Sequence, residues 1–313
     1  MVAATCGLVV VSDLVAPSSL DRGTLLTMLP FASALAIAAL GQTLVVMQGG
    51  IDLSVAGGFS LYVVILTKYP AGDNHRLLPA VGLAFLAAVA AGTLNGSLIG
   101  RMRVNPIVAT LGTNALLFGV VLWYTAGIPT TTTARLSRVG NGTWLGLPAP
   151  VYFAVAATAV VTMVVKLTPA GRRFEGVGAN ETAAFTSGLR VKRHRNAAYV
   201  WAQVLYCAGA LLHAGIVNQP TAYEGNNYLL PSVAAVVLGG TSLLGGRGNL
   251  VATAVAALFL SQLDQFVLAI GVGYATRSLV QAAALAVGVA LYTIDWHGIV
   301  GRMSGRRATL APT

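Results

Sequence analysis

Charge is what this chain has least of. Only 28 of its 313 residues are charged, 19 basic and nine acidic, a share of 9% against roughly 25% in a soluble domain. Apolar residues make up 56%, and mean hydropathy is +0.76. A water-soluble globule has nowhere to hide so much apolar surface, and a disordered chain needs the opposite composition. Cysteine is equally scarce. Cys6 and Cys207 both lie in apolar stretches, which points to buried thiols rather than a disulfide. His75, His194, His213 and His297 are scattered, with no H-x-x-x-H or Cys/His cluster to hold a metal. Lys68, Lys166 and Lys192 are the three lysines, and none follows a glycine. A phosphate-binding loop of the Gly-Lys-Ser/Thr kind is therefore absent, and no cofactor is expected. No H-E-x-x-H, G-x-S-x-G or paired carboxylates occur, the nearest acidic neighbours being Glu175 and Glu181. These absences leave no constellation for covalent catalysis.

What is present is a series of long apolar runs, the mark of an all-α polytopic membrane protein. Runs near the roughly 20 residues needed to cross the hydrocarbon core fall at Leu29–Gln48, Leu78–Gly100, Ile107–Ala126, Ala149–Leu167, Ala197–Val217, Leu250–Ile270 and Ser278–Val300. Ala56–Lys68 and Ser232–Leu244 are shorter and bounded by glycine pairs, as half-helices or broken spans would be. Val2–Val11 is shorter still and lacks the basic start and cleavage site of a signal peptide. It reads as the end of a longer first helix. Counting about ten crossings puts thirteen of the nineteen basic residues on one side. That side should be cytoplasmic and should hold both termini. The net charge of +10 is then a signature of topology, not of nucleic-acid binding. The whole of 1–313 reads as a single transmembrane domain.

One polar segment, about 168–196, is long enough to have a task of its own. It contains a helix signal: Asn180 as N-cap, Glu181 at the positive end, Thr182–Ser187 continuing, and Gly188 as the stop. A helix of about two turns is unstable alone in water, so it must dock on something, either its own helices or a partner. Ionisable residues within spans are few: Asp52 at a span end, Asp264 inside one, Asp295 near the last boundary. No proton relay is evident among them, so energy for any active transport should come from a partner.

Polar and glycine-rich stretches between the runs carry the remaining information. Gly49-Gly50-Ile51-Asp52-Leu53-Ser54-Val55 runs into Ala56-Gly57-Gly58, and Gly239-Gly240-Thr241-Ser242-Leu243-Leu244-Gly245-Gly246 echoes it. Irregular backbone at membrane depth survives only where protein buries it or where it lines a wet cavity. Gly92, Gly96 and Gly100 form a small-residue stripe suited to close helix packing. Asn95 beside them either bonds a neighbouring helix or faces a polar solute. Gln42, Asp52, Ser54, Asn95, Thr110, Thr113 and Asn114 are the candidates for a pathway. Thr110, Thr113 and Asn114 supply neutral hydroxyls and an amide, a lining that suits a sugar better than an ion.

At these residues the chain resembles the permease subunits of bacterial ABC importers for ribose, xylose, galactose and related sugars. Four blocks occur in the family's order: Gly41-Gln42-Thr43-Leu44-Val45-Val46 with Gly49–Val55; Asn95-Gly96 with Asn105–Thr113; Thr168–Arg172 with Gly178–Ala184 and Ser187–Leu189; and Leu238–Leu243 with Gly245-Gly246. The family usually has a fuller first helix, and more often Gly-Ser where this chain has Ala56-Gly57-Gly58. The resemblance implies a subunit of the bacterial plasma membrane that performs no covalent chemistry. Its implied partners are an ABC ATPase, a periplasmic or lipid-anchored sugar-binding protein and a second permease chain, identical or homologous, all within membrane lipid and without nucleic acid. It also implies a coupling helix, with Gly178, Asn180, Glu181, Thr182, Ala183, Ala184, Ser187 and Gly188 at the contact with the ATPase. A permease for branched-chain amino acids or nucleosides would share this architecture. A carrier or channel working without an ATPase is a further alternative.

Overall fold

The computed structural model describes residues 1–271 together with Gly273, Leu279, Ala282 and Ala283. The expected span Ser278–Val300 and Asp295 fall, but for three of these residues, outside them. Among the described residues twelve α-helices form: α1 (Val2–Val15), α2 (Arg22–Val46), α3 (Val55–Lys68), α4 (Leu77–Gly100), α5 (Pro106–Thr125), α6 (Ala134–Asn141), α7 (Ala149–Leu167), α8 (Pro169–Ala179), α9 (Glu181–Thr186), α10 (Val191–Ile216), α11 (Asn226–Leu238) and α12 (Leu250–Ala269). Six of them, α2, α4, α5, α7, α10 and α12, are long and apolar enough to cross a membrane, while α1, α3 and α11 are shorter apolar helices.

Helix α2 is mostly apolar and buried without a break from Ala32 to its end at Val46, as a central helix must be. Glycines let α10 approach it. A Cβ on Gly41 would meet the Ala202 carbonyl and the Tyr206 ring at 2.8 Å, and one on Gly209 would meet the Ala34 carbonyl at 3.0 Å. The stripe on α4 packs as its spacing predicts: Gly92 lies on the Val200 backbone, Gly96 on Asn196 and Gly100 on Lys192. Thr43 on α2 faces Thr253 on α12 with hydroxyls 3.3 Å apart. Helices α4, α5 and α7 turn Leu86, Trp123 and Val155 outward, an apolar exterior that only lipid or protein can cover.

Gly100 lies against Lys192, and Gly246 against Ala179. The basic stretches at 101–103, 166–195 and 247 therefore meet at one end of the bundle. At the other end the Arg135 amide donates to Asn74 Oδ1 at 2.8 Å.

The structure departs from the sequence reading in several places. Helix α2 starts at Arg22 rather than Leu29 and contains Pro30; α11 starts at Asn226 rather than Ser232 and contains Pro231. Proline is tolerated inside such helices when neighbours satisfy the freed carbonyl. Helix α10 begins at Val191, inside the basic stretch. A hairpin pairs Thr143 with Pro148 and Trp144 with Leu147. Its turn, Leu145-Gly146, has φ of +48° and +82°, the mirror-image turn that matches strand twist. Both cysteines are free, Cys207 buried and Cys6 exposed. The expectation of a buried thiol fails for Cys6 because the face of α1 that carries it packs on nothing within the described residues.

Candidate functional site

The segment after α7 folds as two capped helices. Thr168 Oγ1 accepts from the Gly171 amide at 3.1 Å and Pro169 opens α8, a cap and first-turn proline that suit a helix start. Asn180 ends one helix through its backbone amide, which donates to the Gly176 carbonyl, and begins the next through its side chain, whose Oδ1 accepts from the Ala183 amide at 3.0 Å. Glu181 sits in the first turn of α9 and its carboxylate pairs with Arg195 at 2.8 Å. Gly188, at φ +80°, reverses the chain so that the Leu189 amide donates to the Ala184 carbonyl at 3.0 Å. Ala184 faces inward onto Val177 and Val191. Thr182, Ala183, Ser187 and Gly188 lie open, as does Phe185, 74% exposed. The short helix read from the sequence is thus present with its caps, while α8 before it was missed. The Thr168-Pro169 pair was its signal.

Helix α8 rests on both glycine-rich loops. A side chain on Gly178 would run into the carbonyl of Met47. That same carbonyl accepts from the Gly246 amide at 2.8 Å. Gly245 and Gly246, at φ +93° and +80°, bring the second loop within contact of Gly178 and Ala179. Gln48 Nε2 donates to the Phe174 carbonyl of α8 at 2.8 Å. Two segments two hundred residues apart in sequence are therefore seated on one helix at one carbonyl, with no room for a Cβ.

From this junction the chain leads into a buried polar hub. Gly50 abuts the Tyr199 hydroxyl. Two residues on, the Asp52 carboxylate accepts from the Ser54 amide at 2.9 Å and the Ser54 hydroxyl at 2.5 Å. Gln203 Nε2 lies 3.2 Å from Asp52 Oδ2 and 2.8 Å from Ser54 Oγ, while its Oε1 accepts from Tyr62 at 2.6 Å. Asn95 Nδ2 donates to Ser54 Oγ at 2.8 Å. Gln42 bridges Tyr206 and the Asp52 backbone, its amide turned so that nitrogen donates to the Asp52 carbonyl and oxygen accepts from the Asp52 amide, each at 3.2 Å. Thr110 Oγ1 accepts from the Leu53 amide at 3.1 Å, and Asn114 Oδ1 from the Gly57 amide at 2.7 Å. Thr113 is buried nearby with no partner for its hydroxyl.

Of the seven pathway candidates, six are buried and Asn114 is half-buried. In this conformation they join α2, α3, α4, α5 and α10 around the broken segment 47–54. Such a network performs no bond chemistry: it holds an irregular backbone whose polar groups would otherwise be stranded. Sequence reasoning missed Gln203, Tyr62, Tyr199 and Tyr206. Gln203, an amide inside the span Ala197–Val217, could have been found by the logic that singled out Asn95. Among the described residues no group of His, Cys, Asp or Glu could hold a metal ion.

Residues 24–290 match the family model for the branched-chain amino acid transport system permease component. The chain belongs to this permease family. It is the permease component of an ABC importer, a multi-pass membrane subunit without a catalytic domain. The permease is 34% identical to the ribose import permease protein of Bacillus subtilis over 91% of this chain and 89% of that one. It is 32% identical to the ribose import permease protein of Escherichia coli K12, over 90% and 89%. It is 29% identical to the autoinducer 2 import system permease protein of Photorhabdus temperata, over 95% and 92%. No solved structure matches it.

Proposed function

We propose that the permease carries a monosaccharide of the ribose, xylose, galactose or rhamnose kind across a bacterial plasma membrane. The ribose permeases among its relatives support that substrate class. In this reading about ten crossings form a single domain with both termini in the cytoplasm. A second permease chain completes the pathway, and a sugar-binding protein delivers solute on the outer side. An ATPase grips α9 from below, with Asn180, Glu181, Thr182, Ala183, Ala184, Ser187 and Gly188 at or beside the contact and Gly178 behind it.

The observation that carries this reading is the glycine junction. A push on α9 reaches α8, and α8 has no slack against Met47 and Gly246. Motion of the docked helix would then shift residues 47–54 and the Asp52 hub as one body. Gln42, Asp52, Ser54, Asn95, Thr110, Thr113 and Asn114 would meet solute only when the helices around the hub part.

Reconstitution tests the proposal. The permease, its ATPase and its binding protein in liposomes should take up radiolabelled ribose-class sugars in an ATP-dependent way, and leucine or nucleosides should not compete. Deleting Thr182–Ser187 should leave membrane insertion intact and abolish ATPase recruitment. Uptake without ATPase, collapsed by an ionophore, would overturn the proposal.

A further inference from the structure

A groove of about 480 Å³ opens between α8 and α10, lined by Arg173, Gly188, Leu189, Arg190, Arg193, His194 and Ala197. Three arginines line it and no carboxylate does. The two carboxylates of the segment are already engaged, Glu175 with Lys166 and Glu181 with Arg195. None of Arg173, Arg190 and Arg193 makes an ion pair among the described residues. His194 Nδ1 lies 3.1 Å from the Arg190 carbonyl. A carbonyl can only accept, so Nδ1 carries the proton and Nε2 stays free.

The groove also has a direction. Arg193, Ala197 and Trp201 lie four residues apart on one ridge of α10. Val191–Ile216 is long and apolar enough to cross a membrane, so in a bilayer this ridge would climb from the basic end into the apolar zone. Trp201 is 60% exposed, on the order of 12 Å above Arg193 along the axis. An exposed tryptophan at that depth above a basic cluster has the arrangement of an interfacial anchor. Of the residues that the proposed function gives to the ATPase, only Gly188, just past the end of α9, borders the groove.

We infer that this groove binds the phosphate headgroup of an anionic membrane phospholipid, with the acyl chains rising past Trp201. The arginines supply planar donors matched to phosphate oxygens, and the apolar ridge above accounts for a lipid rather than an acidic protein surface. The site is independent of which solute the permease carries and requires only that the chain span a bilayer.

Fluorescence quenching tests it on the full chain. In a variant with Trp123, Trp144 and Trp296 replaced by Phe, Trp201 reports alone. Vesicles of phosphatidylcholine would carry equal mole fractions of either brominated phosphatidylglycerol or brominated phosphatidylcholine. The brominated anionic lipid should show a roughly fivefold or greater preference at Trp201 at low salt. R173A/R190A/R193A should abolish the preference, R193Q should reduce it, and R172A, outside the groove, should keep it. R193Q keeps the test decisive should the triple variant not insert. Equal quenching by the two lipids, or a preference undiminished in R193Q and the triple variant, would overturn the inference.

Discussion

Met47 contributes one carbonyl oxygen, and three parts of the chain are fitted around it. Replacing Gly178 with alanine forces a methyl group onto that oxygen, so α8 must move away from both loops. Membrane insertion should be unchanged, while substrate-stimulated ATP hydrolysis by the assembled transporter should fall by an order of magnitude or more; a coupled enzyme assay in liposomes reads this. Gln203 makes the opposite kind of test. Gln203→Ala strips partners from Asp52, Ser54 and Tyr62 at once. A buried polar group left unpaired costs about 1–3 kcal/mol, so the melting temperature of the detergent-solubilised protein should drop by several degrees. Asp52→Asn, which keeps an acceptor for Ser54, should be milder than Asp52→Ala in the same measurement.

Among the elements, α9 is the most dependent on its ends. Six residues cannot hold a helix by propensity, and the Asn180 cap, Glu181–Arg195 pair and Gly188 turn fix it in place. Asn180→Ala should remove about 1 kcal/mol of local stability, seen as faster amide exchange at Ala183 and Ala184 and weaker ATPase binding. The connection between α10 and α11 has a titratable tie. Glu224 pairs with His213 at 2.9 Å and accepts from the Thr221 amide at 2.8 Å, and Tyr228 closes the cluster on the other ring nitrogen at 2.8 Å. Burial pushes the Glu224 carboxyl up, but the bonds from His213 and Thr221 outweigh it and hold it below the usual range. A carboxylate depressed in the folded state stabilises at pH above its ordinary value of 4.5, and that contribution is lost as pH falls through the lowered value. Glu224→Gln should therefore flatten the acid limb of a melting-temperature-against-pH curve and leave the neutral region lower overall.

For the whole molecule, the six long spans were legible because a helix crossing lipid must satisfy its own backbone and show apolar side chains. Their boundaries were less so: α2 begins at Arg22 rather than Leu29 and α11 at Asn226 rather than Ser232, since the polar first turns of both helices carry no apolar signal. The short helix at Asn180 was legible from its caps, which act within four residues. Its neighbour α8 was not, because a mixed sequence such as Gly171-Arg172-Arg173-Phe174 carries no clear period until Phe174 finds the cluster of Leu40, Leu44 and Val165. As to the candidate site, Asp52, Ser54 and Asn95 stood out as polar residues in apolar surroundings. Their Gln203 and tyrosine partners did not, since a tyrosine in a span has an innocent reading at any lipid interface.

The sequence by itself determined that this chain lives in a membrane, binds no nucleotide through a Gly-Lys loop and hangs a capped helix outside its spans. Those conclusions depend only on composition and on interactions between residues a few positions apart. Only the tertiary structure decided that the two glycine-rich loops and α8 share the carbonyl of Met47, and that the polar residues of five helices close on Asp52. Such meetings join residues separated by about forty to two hundred positions. Their geometry is set by how closely whole helices pack, which no local pattern records.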